Sequence, residues 1–199
     1  MNRNQLCFVA AAFAVRLTSL AWSKRNERKL RAAGAREFGR LNSQALALAH
    51  LAFYTAAPVE AALRGKGPSG RVGGLGVALY TVAMGMLLRV CRALGPLWTV
   101  KVLIGPQQRV VRSGPYRLCK HPNYFLNLLP ELVGYGLALG AWRTLGWGLP
   151  CYGLCLAVRI RQEEAAMGAW AGSATAMESR QRTDGAKPGT AADDGSGAS

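Results

Sequence analysis

Long apolar runs alternate with short, densely basic segments, and this segregation constrains the fold more than any other feature of the chain. The runs are Leu6 to Trp22, Gln44 to Leu63, Val72 to Leu88, Phe125 to Trp142 and Leu145 to Val158, of 17, 20, 17, 18 and 14 residues. A bilayer core of roughly 30 Å takes about 20 helical residues at 1.5 Å each, and about 17 at the least. Four runs therefore reach across unaided. The fifth is short by itself, but only Arg143 and Thr144 part it from the fourth, and it can continue as helix through Arg159 to Met167. The pattern predicts an all-α integral membrane protein of about five transmembrane helices, the last two forming a C-terminal helical hairpin.

Orientation follows from the placement of Lys and Arg, because short cytoplasmic loops carry the excess. With Ser23 to Asn42 on the cytoplasmic side, alternation through five spans also puts Arg89 to His121 and everything after Val158 inside. Nineteen of the 25 Lys and Arg then lie inside, five outside, and Arg16 within the first span. The N-terminus is outside and the C-terminus inside, in a cell inner membrane or, for a eukaryotic chain, the endoplasmic reticulum. The formal net charge of +15 is also what nucleic acid attracts, but no aromatic-laced basic motif or zinc spacing accompanies it. Attraction to anionic lipid at the membrane surface accounts for the charge, so no nucleic-acid partner is expected. Leu6 to Ala14 resembles a signal-peptide core, yet its flank carries only Arg3 and the dense charge follows the run. The five cysteines lack structural-zinc spacing and read as small packing residues, with no metal site expected.

Residues 1–167 read as one membrane domain whose catalytic half is about 97–167, followed by a disordered tail at 168–199 that is rich in Ala, Gly, Ser, Thr and Asp. Lys24 to Arg40 reads as a charged amphipathic connector on the cytoplasmic surface. Trp98 to Ile104 and Gln108 to Arg112, parted by Gly105-Pro106, read as a short extended pair or hairpin before the fourth span. Ionisable groups inside spans are costly and are therefore candidates for function. Arg16 is expected to snorkel to the interface, and Glu60 to reach it from the end of its span. His50 with Tyr54, and Glu131 with Tyr135, are i, i+4 pairs on one helix face. Pro58 and Pro130 kink their helices and open room for a cavity.

The segment with most chemical content is Arg112-Ser-Gly-Pro-Tyr-Arg-Leu-Cys-Lys-His-Pro-Asn-Tyr124. A residue before proline is pushed out of the helical region, whereas proline suits the first helical position. His121 thus ends the loop and Pro122 opens a helix at the membrane surface. The free N–H groups at Asn123 and Tyr124 favour an anion, and Lys120 and His121 add to that field. Downstream, Arg159 and Glu163 are i, i+4 neighbours on the helix leaving the fifth span, and a hairpin returns them to the same face of the membrane. A basic residue, a carboxylate and an anion-binding helix start are expected to converge there.

Gly114-Pro-Tyr116, Lys120-His-Pro-Asn-Tyr124 and Arg159 followed by Glu163-Glu164 closely resemble the isoprenylcysteine carboxyl methyltransferase family, integral-membrane enzymes that use S-adenosylmethionine. The resemblance covers about Trp98 to Met167. Arg25-Asn-Glu-Arg28, Gly34-Ala35, Phe38-Gly39 and His50 to Tyr54 further look like its bacterial branch, often associated with a type III polyketide synthase, which methylates alkylpyrone or alkylphenol lipids. The resemblance implies that Gln108, Arg109, Val110 and Val111 line the cofactor, and that Tyr116 with Lys120, His121, Pro122, Asn123 and Tyr124 hold it from the other side. It gives Glu163, with Glu164 beside it, the polar end of the cofactor, and it turns Arg159 towards the acceptor as the catalytic residue. The family motif usually carries arginine where Lys120 stands, so a fork of donors becomes a point charge.

A Rossmann enzyme is disfavoured, because Gly74-Leu-Gly76 follows no strand, lacks the third glycine and lies in an apolar run. Two rivals remain at the level of sequence: an NADPH-dependent membrane sterol or steroid reductase, and a non-enzymatic transporter or lipid-binding protein that uses His50, Glu60 and Glu131. The function expected is S-adenosylmethionine-dependent O-methylation of a hydrophobic or lipid-like acceptor, such as a carboxylate, an alkylpyrone enol or a phenol.

Overall fold

The computed structural model describes residues 1–65, 67–105 and 114–185, with side chains as far as 172. Most of these residues are helical. Helix α1, Arg3–Ala32, starts with a reciprocal capping box in which Asn2 accepts from the Gln5 N–H and Gln5 accepts from the Asn2 N–H. Helices α2, Arg40–Arg64, and α3, Gly70–Leu94, follow, and a single turn at Gly95–Leu97 ends the third. A wide π-type turn at Asn123–Leu128 leads into α4, Leu129–Leu139. A second, at Thr144–Gly148, leads into α5, Leu149–Gly185. Among the described residues, three helical stretches, Arg3–Ala32, Arg40–Arg64 and Gly70–Leu97, are long and apolar enough to cross a membrane.

In lipid the driving force between helices is close packing, and small residues let backbones approach. The α3–α4 contact shows this most clearly. A Cβ built on Gly76 would lie 2.3 Å from the Ala138 nitrogen, and one on Gly134 would lie 2.6 Å from the Tyr80 nitrogen. Gly76, part of the glycine pair that superficially suggests a nucleotide loop, is thus a packing residue inside a helix.

Around this contact lies a core rich in tyrosine. Tyr54 and Tyr135 stack with ring centroids 4.3 Å apart, His50 stacks on Tyr54 at 4.8 Å, and Phe8 and Phe13 of α1 meet Tyr80 and Tyr54 edge-on. Arg16 does not snorkel: it forms an ion pair with the fully buried Glu131 of α4, which also accepts from the Tyr54 hydroxyl. A buried carboxylate is tolerable only when paired and hydrogen-bonded, and Arg16 is placed to satisfy it. Glu60, half-buried near the end of α2, also has partners within the fold. It accepts from the backbone N–H groups of Arg143 and Thr144, at 3.0 and 2.8 Å, and from the Thr144 hydroxyl at 2.8 Å, capping the helical turn that follows α4.

Two connectors differ from the sequence reading. Helix α1 does not end with its apolar run at Trp22 but runs on to Ala32, because its polar residues have partners in the fold. Asn26 donates to the carbonyls of Gly95 and Trp98, and Ser23 accepts from the Val100 N–H. The expected extended segment exists as β2, Val102–Ile104, but its partner is β1, Arg36–Phe38, from the first connector. The two run antiparallel, with Arg36 opposite Ile104 and Phe38 opposite Val102. Gln108 to Arg112 lie outside the described residues. The tail also differs from expectation, since residues 168–185 continue α5. Their alanines, with Met177 and Glu178, are strong helix formers, and propensity prevails over the low hydropathy.

Candidate active site

The start of the fourth helical segment and the far end of the fifth converge on one cavity of about 850 Å³. That is within the roughly 300–1,000 Å³ of small-molecule sites. His121, Pro122, Asn123 and Tyr124 line it from the segment that opens α4, and Arg159, Glu163 and Glu164 from α5. Tyr116 and Lys120 of the preceding loop complete the polar wall. The opposite wall is apolar, with Leu94, Leu97, Trp98 and Val102.

Pro122 sits at φ −64°, the value that suits a first helical residue, so the chain enters the wide turn at Asn123 without distortion. A π-type turn there adds a residue to the helical circuit, a device found at functional sites. Within this turn Asn127 donates to the Asn123 side chain at 3.2 Å.

The polar residues are held in an ordered chain. Tyr124 Oη donates to a Glu163 carboxylate oxygen at 2.7 Å and accepts from Arg159 Nε at 3.2 Å. Arg159 is only 3 % exposed, and its remaining nitrogens are engaged too. Nη1 donates to Ser43 Oγ and Nη2 to the Val100 carbonyl, both at 2.6 Å. A buried guanidinium with this many partners is fixed in place. The i, i+4 spacing of Arg159 and Glu163 puts both on the cavity face, and the link between them passes through Tyr124.

At the rim, Glu164 accepts from Lys120 Nζ at 2.7 Å and lies 3.1 Å from His121 Nε2. The Lys120 hydrogen bond, followed by that from His121, holds the Glu164 carboxyl below the usual carboxylate range. Lys120 is 74 % exposed, so this contact is a weak latch rather than a structural pin. His121 stacks beside Tyr124 with centroids 5.8 Å apart. Burial raises the Tyr116 phenol above its ordinary range, with the Glu163 charge acting in the same direction, so Tyr116 is a neutral donor and an aromatic face.

Of the residues singled out from sequence, Tyr116, Lys120, His121, Pro122, Asn123, Tyr124, Arg159, Glu163 and Glu164 all border this one cavity. Gln108, Arg109, Val110 and Val111 lie outside the described residues. Three participants were not legible. Ser43 is one polar residue at the start of an apolar helix, Val100 contributes only a backbone carbonyl, and Trp98 sits in a loop whose course depends on its hydrogen bonds to α1. The one available signal was spacing: Ser43 and His50 are seven residues apart and share a face of α2.

Residues 76–169 match the family model of the isoprenylcysteine carboxyl methyltransferase (ICMT) family. A protein of Haemophilus influenzae described as uncharacterized is 44 % identical over 158 residues, covering 79 % of this chain and 91 % of the relative. The uncharacterized protein YpbQ of Bacillus subtilis is 30 % identical over 159 residues, covering 80 % and 94 %. No solved structure matches this chain. The protein belongs to the isoprenylcysteine carboxyl methyltransferase family, a family of membrane methyltransferases.

Proposed function

We propose that the protein is an S-adenosylmethionine-dependent methyltransferase that O-methylates a hydrophobic acceptor at the cytoplasmic face of a five-span bundle, N-terminus outside and C-terminus inside. The observation that carries this reading is the shared cavity. His121 and the helix start after it, the carboxylate of Glu163 and the buried charge of Arg159 all border it, and Tyr124 is hydrogen-bonded to both Glu163 and Arg159.

The donor set suits the cofactor. S-adenosylmethionine has a carboxylate, an ammonium and a cationic sulfonium. The N–H groups that open the helix after Pro122, with His121, suit the carboxylate. Glu163 suits the ammonium, and the ring faces of Tyr116 and Tyr124 suit the sulfonium. A cavity of about 850 Å³ leaves room beside it for the reacting part of an acceptor. When bound, the cofactor supplies an electrophilic methyl carbon.

The chain's own residues then have positioning and electrostatic tasks. Glu163 and His121 orient the donor, and fixed geometry is the chief source of acceleration for a bimolecular transfer. Arg159 favours the ionised form of an acidic acceptor, a carboxylate, an enol or a phenol, by placing a positive charge where the oxyanion must be. Because its Nε, Nη1 and Nη2 are already spoken for, Arg159 acts through its charge and remaining N–H bonds rather than as a free fork. Alkylpyrones and alkylphenols, the products of a type III polyketide synthase, are acceptors of the right acidity and greasiness.

The test is to incubate membranes containing the protein with methyl-labelled S-adenosylmethionine and extracted lipids. Label in the organic-extractable fraction is expected, and to be lost in Arg159→Ala. Label confined to protein or to water-soluble products contradicts the assignment.

A further inference from the structure

Four side chains near the end of α1, Ser23, Asn26, Glu27 and Arg31, have no task in the chemistry proposed above, yet all four are bonded within the fold. They lie beyond the apolar run at i, i+3, i+4 and i+8, so they form one stripe along the helix. Ser23 and Asn26 are 3 % and 5 % exposed. Polar side chains buried this far need partners, and theirs beyond α1 lie in residues 95–100.

Asn26 Nδ2 donates to the carbonyls of Gly95, at 3.1 Å, and of Trp98, at 2.9 Å, which uses both of its N–H groups. Ser23 Oγ accepts from the Val100 N–H at 2.8 Å. Glu27 accepts from Lys101 Nζ at 2.7 Å, and Arg31 bridges Glu27 and Glu37 of β1. Residues 98–101 belong to no helix or strand, so no ladder of their own fixes them. Helix α1 fixes them from outside.

The effect reaches the cavity through Val100. Its N–H is held by Ser23, and its carbonyl accepts from Arg159 Nη2 at 2.6 Å. Arg159 therefore has two anchors of different kinds: Ser43 stands on a regular helix, whereas the Val100 carbonyl stands on irregular backbone whose fixed point is α1. Without that backing the carbonyl can move, and the guanidinium with it. Displacement of a positioned group by 1 Å can cost about a hundredfold in rate.

We propose that Ser23 and Asn26 are positioning residues for Arg159, acting from the end of α1 through the backbone of residues 98–100. This deepens the proposed function, on which the task of Arg159 rests. It also gives Arg25-Asn-Glu-Arg28 a division of labour. Asn26 and Glu27 hold Trp98 and Lys101, which line the cavity, while Arg25 and Arg28 are exposed.

The test compares the full chain in detergent as wild type, Ser23→Ala, Ser23→Thr, Asn26→Leu and, from the outer face of the same helix, Arg28→Ala. Ser23→Ala loses one neutral hydrogen bond. It should lower kcat for methyl transfer from S-adenosylmethionine to extracted lipids by about two- to tenfold, with the KM for S-adenosylmethionine within about twofold. Asn26→Leu keeps the volume but loses two bonds, and should lower kcat further. Ser23→Thr keeps the hydroxyl and should recover most of the activity, and Arg28→Ala should match the wild type. A spectroscopic signature follows Arg159 without turnover. In protein labelled with 15N-arginine, the Nε–H resonance that disappears in Arg159→Lys should shift or broaden in Ser23→Ala and Asn26→Leu, and stay in place in Ser23→Thr and Arg28→Ala. If either kcat per folded molecule or this resonance is unchanged in both Ser23→Ala and Asn26→Leu, the positioning role is overturned. Ser23→Thr no better than Ser23→Ala overturns it as well. A wild type that transfers no methyl group overturns the methyltransferase reading instead, and the Arg159 resonance still decides the positioning.

Discussion

Arg159 of α5 donates to Ser43 of α2 at 2.6 Å, so a buried cation of the candidate site is held by a helix more than a hundred residues away in sequence. Ser43 also ties back to its own helix, donating to the Gly39 carbonyl at 3.1 Å. Ser43→Ala leaves a buried charged donor short of a partner, a loss of about 1.5–3 kcal/mol. The expected result is a kcat lower by about tenfold or more with little change in the KM for S-adenosylmethionine, and substantial recovery in Ser43→Thr. Steady-state kinetics on the three proteins check this, since a merely structural role would lower the folded fraction and leave kcat per folded molecule unchanged.

Arg16 of α1 forms an ion pair with the fully buried Glu131 of α4. Removing one partner of a buried pair costs about 3–5 kcal/mol, whereas replacing both by apolar groups of similar volume is often neutral. Arg16→Ala should therefore destabilise the protein severely, and the double variant Arg16→Met with Glu131→Met should recover most of the loss. Unfolding in mixed micelles measures both. If Arg16→Ala is as stable as the wild type, the pair contributes nothing.

The close approach of α3 and α4 gives a prediction with an internal control. Gly134→Ala puts a Cβ 2.6 Å from the Tyr80 nitrogen and should cost about 1–3 kcal/mol through backbone displacement. Gly74→Ala lies on the same α3 helix with nothing within 4 Å and should be neutral or stabilising by up to about 1 kcal/mol. The same unfolding assay applied to both variants separates packing from helix propensity.

The rim latch has a defined pH dependence. Glu164 is held below the ordinary carboxylate range by Lys120 and then His121, so its contribution is fully present above that range and is lost as pH falls through the lowered folded value. The stability difference between wild type and Glu164→Gln should be present above about pH 5 and shrink below it, and it should diminish in high salt because the contact is exposed. Thermal unfolding of the two proteins across pH 3 to 7 shows whether the difference follows that course or grows instead.

Much of this was readable from residues. The apolar runs locate the helices because lipid leaves the backbone no other way to satisfy its polar groups. The proline after His121 marks a helix start, and the spacing of Arg159 and Glu163 gives them a common face. Illegible were the partners supplied by distant elements. Nothing in the neighbourhood of Arg36–Phe38 announces that it pairs with Val102–Ile104, because pairing between distant segments leaves no local period. Arg16 read as a snorkelling residue for the same reason, since its carboxylate is 115 residues away. Ser23 and Asn26 looked like solvent-facing connector residues until the loop that accepts and donates their hydrogen bonds was in place.

The central claim is that the two ends of the α4–α5 pair together hold a zwitterionic methyl donor, and calorimetric titration of S-adenosylmethionine into the solubilised protein tests it most directly. The account predicts saturable one-site binding, no comparable binding of NADPH, and affinity at least tenfold weaker in both Glu163→Gln and His121→Ala with helical content unchanged. Binding of NADPH alone, or S-adenosylmethionine binding that neither substitution alters, contradicts it.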